Sequence, residues 1–415
     1  MNKPVISIFG GSIIGNRGAE SMLVTTIGEV RQRFPNTAIN VFSYLFKHDR
    51  ELISDDLITV YDGRPLTLVK YFFSAVITKL FPSVKFSKGF EQLKKSDLLL
   101  DISGISFADG RTSLLLFNVF NIWPALILKI PVAKLSQSLG SFANPINRIT
   151  SKIYLSKCSY LFARGLKSFS HLKDLGIEEE KYELSSDIAF LFKPEYSLSI
   201  ENEEKVNNLI NWVSKRKELG GKIVSISPSS LVMRSSGKKG HDYLGKIQMI
   251  ISELAAQNTS FVIFPNASRE DSDKPMNNDL VAIKKLRVLV STIFPEELSN
   301  RIFWADFGMN SLDIRRLMTR TNLLIASRFH AMIGGLSNCV PCMIIGWGYK
   351  YNELMSDFYL EDYVHDYLDE AAEMAKTGIY LLENFSKVKE IITRELPKVI
   401  KLSQKQFEYV EKQVS

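Results

Sequence analysis

The stretch Asn322-Leu323-Leu324-Ile325-Ala326-Ser327-Arg328-Phe329-His330-Ala331-Met332-Ile333-Gly334-Gly335-Leu336 decides how this chain is read. Its apolar run predicts a short buried strand ending at Ser327, with a helix opening near Arg328. Open α/β sheets bind ligands outside the carboxyl ends of their strands. A helix that opens there aims backbone N–H groups at any nearby anion. Arg328 and His330, with the Phe329 ring between them, are therefore expected to form a pocket for a small, multiply charged anion.

The same grammar runs outward in both directions. Downstream, Pro341 to Ile345 predicts a strand, and Gly346-Trp347-Gly348-Tyr349-Lys350 closes it, with Lys350 as a further cation at that edge. Upstream, Lys222 to Ser227, Phe261 to Phe264 and Arg301 to Trp304 predict strands, and Tyr243 to Gln257 and Ser311 to Thr319 predict helices. Pro228-Ser229-Ser230 is read as opening a loop that holds Arg234, Lys238, Lys239 and His241, and Asn266 to Asn278 as a polar, exposed segment. A Glu-rich stretch within residues 193–205 reads as an interdomain connection.

The first half begins with strand Pro4 to Phe9, a glycine loop from Gly10 to Gly18 and a helix from about Ala19. The loop does not fit G-x-G-x-x-G, and no ribose-binding acid follows the next strand, so a dinucleotide site is not inferred. Ser96 to Ser103 and Pro131 to Leu135 predict buried strands, with Ser136 to Ser141 as a polar loop. Asp101 and Asp109 lie near strand ends, where each could touch a sugar hydroxyl, act as a base, or tie a turn. Residues 66–86 form an apolar, lysine-bearing helix, read as packing against core or domain in preference to a membrane surface.

Composition sets the bounds. The 415 residues suggest about two or three domains, and 45% hydrophobic with 23% charged residues is ordinary for a globular chain. The net charge of +7 leaves attraction to anionic lipid or an anionic substrate open. Scattered Lys and Arg, with no zinc-finger or RNA-recognition pattern, argue against nucleic acid. Three cysteines do not make a disulfide framework and point to a reducing compartment. Cys339-Val340-Pro341-Cys342 has redox spacing but lies in an apolar run and reads as core. No apolar run reaches the roughly 18 residues of a spanning helix, and no signal peptide is expected from the residues before Val5. A cytoplasmic protein is expected, with a place at the inner face of the membrane left open.

Several pieces, in order, resemble the polysaccharide pyruvyl transferase family. They are Gly15-Asn16-Arg17-Gly18-Ala19-Glu20, Ser103 to Asp109, Gln137-Ser138-Leu139-Gly140, Ala163-Arg164, and Asp187-Ile188-Ala189-Phe190, in which Ile188 replaces the family's proline. Ser327 to Ala331 with Val340-Pro341 and Gly346 to Lys350 completes the set. The resemblance implies an α/β fold of two Rossmann-like domains in a GT-B-like arrangement with an interdomain cleft. The expected domains are residues 1–195 on the acceptor side, 206–383 on the phosphoenolpyruvate side, and a helical tail, 384–415, that could cross back to the first half.

The resemblance also implies transfer of the enolpyruvyl group of phosphoenolpyruvate to two hydroxyls of a surface-polysaccharide precursor. Phosphoenolpyruvate is a co-substrate; no cofactor and no metal is implied. By this reading His330 and Arg328 are catalytic. Arg234, Phe329, Lys350, Asn16, Gly18, Glu20, Asp109 and Ser138 bind substrate. The partners are phosphoenolpyruvate and a glycan acceptor that can be lipid-linked, with peripheral membrane contact open. The rival readings are a glycosyltransferase using a nucleotide sugar and a non-catalytic scaffold of envelope-glycan assembly.

Overall fold

The computed structural model describes residues 3–53, 55–198, 201–270, 277–346 and 348–415. Trp347 and residues 271–276, part of the expected exposed segment, lie outside them. The chain divides into two compact units, Met1–Ile14 with Ala19–Ser199 and Ile400–Ser415, and Gly15–Gly18 with Ile200–Val399. Relative to the expected domains, Gly15–Gly18 groups with the second unit and the tail is shared at Val399. Both differences come from tertiary contacts of short segments, which composition does not register.

In the first unit the strands are β1 (Val5–Phe9), β2 (Ala38–Ser43), β3 (Ile58–Asp62), β4 (Leu98–Asp101), β5 (Ile105–Ser106), β6 (Val132–Leu139), β7 (Tyr160–Arg164) and β8 (Tyr182–Ser185). They pair in parallel in the order β3-β2-β1-β4-β6-β7-β8, with β5 on β6. Parallel strands covered on both faces are mostly apolar runs, and β4 (Leu-Leu-Leu-Asp) is buried at every position, its one polar residue, Asp101, paired with Lys134. Stacked rings of Phe9 and Phe42, 4.4 Å apart, centre one side of the core.

The second unit contains β9 (Lys222–Ser227), β10 (Thr259–Ile263), β11 (Ile302–Trp304), β12 (Leu323–Ala326), β13 (Cys342–Gly346) and β14 (Val364–Asp366). Their order, β11-β10-β9-β12-β13-β14, is all parallel and is the doubly wound Rossmann arrangement. The direction of winding reverses between β9 and β12. In the first unit it reverses between β1 and β4. Crevices at such reversals are where doubly wound sheets take ligands.

Four readings of the sequence need correction. The segment from Ser136 continues β6 to Leu139 and is fully buried. Its polar groups are satisfied internally: Ser136 N donates to Gln406 Oε1 (2.8 Å), Gln137 Nε2 to Asp101 O (3.0 Å), and Gln137 Oε1 accepts from Ser106 Oγ (2.6 Å). Ser230–Lys238 is a helix, capped by the Ser229 hydroxyl, so Arg234 and Lys238 are helical. The connection around residue 203 is already the helix Glu203–Glu218, with Glu203 and Glu204 favourably placed in its first turn. Within the expected exposed segment, Asn266, Ala267, Ser268 and Asn278 are buried.

The helix at residues 66–86 runs Pro65–Leu80 and buries only Leu68, Tyr71 and Ala75. The last helix, Phe385–Val414, carries Gln406 and Tyr409 into the first unit, where Tyr409 stacks on Tyr160 at 4.6 Å. Among the described residues no helix is long and apolar enough to cross a membrane.

Candidate functional site

At the carboxyl ends of β9 and β12 the chain turns into two helices, Ser230–Lys238 and Phe329–Leu336. Arg328 is the last extended residue before the second, with φ −122° and ψ 130°, and its own side chain caps nothing. The guanidinium instead meets Asp279, a fully buried carboxylate. Nε donates to both carboxylate oxygens (3.1 and 3.0 Å) and Nη2 to Oδ1 (2.5 Å). One edge of the fork is thus occupied by a resident anion. Nη1 donates to nothing among the described residues, and the side chain keeps 15% of its exposure. Burial alone would lower the Arg328 pKa; the charge and hydrogen bonds of Asp279 outweigh it and raise the value, so the group stays cationic.

Asp279 is itself held from several directions. Ser230 N (3.0 Å) and Oγ (3.3 Å) donate to Oδ1, and Ala267 N donates to Oδ2 (2.9 Å). Tyr243, buried beneath, donates to Ser327 Oγ (2.6 Å) and accepts from Ser229 N (3.1 Å). Tyr351 donates to Ser327 O (3.3 Å); burial pushes its phenol up to about 12, so it acts as a neutral donor. The arginine plane is fixed by a network drawn from the carboxyl ends of β9, β10 and β12, a preorganised arrangement for planar anion recognition.

His330 lies one residue into the helix, edge-on to Phe329 at 5.5 Å. Against its ring runs the backbone of Gly18, where an added Cβ would come within 2.1 Å of Nδ1. Gly15–Gly18 reaches this place because it is stitched to residues 266–268. Asn16 bridges Ala267, Arg17 N donates to Asn266 O (3.1 Å), and Ser268 N donates to Gly15 O (3.0 Å). Arg17 Nη2 bonds Glu201 (3.0 Å) and Ser268 Oγ (3.1 Å).

The structure therefore brings Arg328, Phe329, His330, Gly18 and Asn16 into one unit. Asn16 is exposed, and its Oδ1 accepts from Gly18 N at 3.0 Å. Lys350 joins them, its Nζ 5.1 Å from the Phe329 ring centre and 5.2 Å from that of Tyr351. Arg234 stands exposed on its helix and makes no hydrogen bond or ion pair among the described residues.

The remaining residues belong to the first unit. Glu20 is buried in the first turn of the helix Arg17–Arg33. Ser138 Oγ accepts from Arg164 Nε (3.2 Å) and Nη2 (2.9 Å), while Arg164 Nη1 pairs with buried Asp187 at 2.5 Å. Asp109 ties a loop: it accepts from Ser141 Oγ (2.9 Å), Ala143 N (2.7 Å), Asn144 N (3.3 Å) and Asn147 Nδ2 (2.7 Å). Burial would raise its pKa; these bonds outweigh that and lower it. Asp101 forms a buried ion pair with Lys134 and also accepts from Ser103 N at 3.0 Å. Ser138, Asp101 and Asp109 thus each hold together their own unit. Cys342 is buried at the start of β13, its thiol pKa pushed up by burial.

Three residues escaped the sequence reading. Asp279 closes a polar segment and precedes the helix Leu280–Ile293, whose apolar periodicity was the available signal. Tyr243 opens a helix that was anticipated, but nothing local marks its hydroxyl as part of the site. Asp49, on the short helix Phe46–Leu52, accepts from Ser12 Oγ and Ile13 N (3.1 Å each) and so holds the first glycine loop.

No curated protein matches the chain. Solved structures similar over nearly its whole length include the UDP-GlcNAc 2-epimerase of Neisseria meningitidis bound to UDP-GlcNAc (12% identity, TM-score 0.61, 99% of this chain and 100% of that one). The UDP-GlcNAc 2-epimerase of Methanocaldococcus jannaschii is similar at 15% identity and TM-score 0.57 (95% and 99%). Anabaena HepE in complex with UDP-glucose is similar at 13% and 0.54 (98% and 99%). At such identities the likeness speaks for the fold, which is of the two-domain, GT-B-like class. The sequence profile described as polysaccharide pyruvyl transferase matches residues 16–349, taking in Asn16 to Gly18 and the Arg328–His330 turn. The chain belongs to the polysaccharide pyruvyl transferase family, a family of transferases.

Proposed function

We propose that this protein transfers the enolpyruvyl carbons of phosphoenolpyruvate to two hydroxyls of a sugar in a surface-polysaccharide precursor, forming a cyclic ketal and releasing phosphate. The observation that carries the reading is the Arg328 fork, two residues before His330 at a sheet reversal, held on one edge by Asp279 with Nη1 bonded to nothing among the described residues. A buried Arg–Asp pair is nearly neutral overall. Its contribution is therefore direction rather than bulk charge: it aims two N–H donors at a carboxylate or phosphate of the donor. The opening of the Phe329–Leu336 helix and the cations Arg234 and Lys350 supply the remaining attraction.

In the proposed reaction the methylene carbon of phosphoenolpyruvate takes a proton and becomes a methyl group. The first sugar hydroxyl bonds to the adjacent carbon, the second displaces phosphate, and the two hydroxyl protons balance the one on carbon and the one carried by phosphate. His330 is the proposed proton donor, an imidazole being a side chain able to deliver a proton, placed two residues from Arg328 at the helix opening. No cofactor or metal enters; the acceptor is a glycan that can be lipid-linked, and the site of action is the cytoplasm.

Incubation with phosphoenolpyruvate and candidate glycans should release phosphate and raise the glycan mass by pyruvate less water. His330→Ala should lower the rate about 10²–10⁴-fold while the thermal melt is unchanged. Absence of both phosphoenolpyruvate binding and phosphate release with every acceptor would overturn the reading.

A further inference from the structure

Three helices of the first unit, Pro65–Leu80, Leu115–Ile127 and Pro145–Leu155, lie side by side. A row of rings joins them: Phe72 is 4.2 Å from Trp123, and Trp123 is 5.2 Å from Tyr154. Their inner faces fill the core, through Leu68, Tyr71 and Ala75 on the first helix. The outer face is apolar as well. Phe73 is 57% exposed, Leu80 69%, Leu116 71% and Ile149 62%, with Leu66 and Ile146 exposed on the same helices.

Charge on these helices has one sign. No Asp or Glu occurs from Gly63 to Phe90, which contains Arg64, Lys70, Lys79, Lys85 and Lys88, nor from Gly110 to Lys173. Lys70 and Lys79 are exposed among the apolar residues of the first helix. This combination selects the occupant. A second copy of the chain, docked by the same face about a two-fold axis, would set cations against cations. An anionic phospholipid surface offers hydrocarbon for Leu and Phe and negative headgroups for Lys, whose stems extend along the interface.

We propose that this three-helix face is a peripheral docking surface for an anionic phospholipid bilayer. The helices lie along the interface without crossing it, and the first unit is the part of the molecule held there. The inference does not depend on the reaction proposed above, because its readout uses neither phosphoenolpyruvate nor glycan.

The test is flotation of the full chain with phosphatidylcholine vesicles, with and without phosphatidylglycerol. The wild-type protein should float with the anionic vesicles, less so as salt rises. Phe73→Ser/Leu80→Ser and, separately, Lys70→Glu/Lys79→Glu should each weaken the partition about tenfold or more. The lysine variant changes only exposed side chains, and circular dichroism checks that both variants are folded. No flotation of the wild type with anionic vesicles overturns the proposal, as does flotation of both folded variants to the same extent as the wild type. Loss of a dimer by light scattering in Phe73→Ser/Leu80→Ser, without vesicle binding by the wild type, assigns the face to a second copy and also overturns it.

Discussion

At the scale of single residues, the site depends on a cation that already has a partner. Asp279 neutralises Arg328 while orienting it, so removing the acid leaves a buried, unpaired guanidinium. Asp279→Ala should destabilise the protein by about 3–5 kcal/mol, measured by denaturant unfolding. Gly18 poses the opposite case, a missing side chain. Its added Cβ would meet the His330 ring at 2.1 Å, so Gly18→Ala must displace the imidazole. If His330 delivers the proton, kcat should fall about 10²-fold from that displacement alone, with stability little changed. Steady-state kinetics and a thermal melt together check it. Asp109 provides a pH signature. Its folded pKa lies below the ordinary 3.8, so its stabilising contribution is complete above that value and fades as pH falls through 3.8 toward the lower folded value. Asp109→Asn should lower stability at neutral pH by about 1 kcal/mol and flatten that acid-side decline, read from unfolding midpoints across pH.

At the scale of elements, a strand of polar residues sits in the middle of a buried sheet. β6 tolerates Ser136, Gln137 and Ser138 because side chains from distant parts of the chain complete their hydrogen bonds. Gln406 on the last helix supplies three: Oε1 accepts from Ser136 N and Oγ, and Nε2 donates to Ser186 O. Gln406→Ala should therefore cost about 2–3 kcal/mol, far above an ordinary surface helix substitution, as denaturant unfolding would measure. This strand also shows why local reading stops at Ser136. Polar residues after an apolar run predict a loop unless their distant partners are known. The helix Ser230–Lys238 was obscured similarly: its serines, glycine and closing lysine suggest a loop, and the Ser229 cap is apparent only in the folded structure.

At the scale of the whole molecule, two doubly wound units carry two sheet reversals, with Arg328 and His330 at the second. A ligand bound there stabilises its own unit by about 2.7 kcal/mol at 100 times its dissociation constant. If phosphoenolpyruvate is the donor, as proposed, it should raise the melting temperature more than a nucleotide diphosphate sugar does, which differential scanning calorimetry would read. Much of this plan was legible from the amino acids alone. Buried parallel strands are continuous apolar runs, helices have their own period, and glycines mark turns; these local signals placed β1, β9 and β12, and the Arg328–His330 turn at the carboxyl end of a strand. The ordered motifs implied the family that the comparison supports. Only tertiary structure could reveal that Arg328 is paired with Asp279, 49 residues away, that Gly18 abuts a ring 312 positions downstream (330 − 18), and that Asp101, Asp109 and Ser138 are engaged in holding their own unit. The physical reason is range: periodicity records which face of an element is buried, whereas a charge's partner is chosen by the folded path of the whole chain.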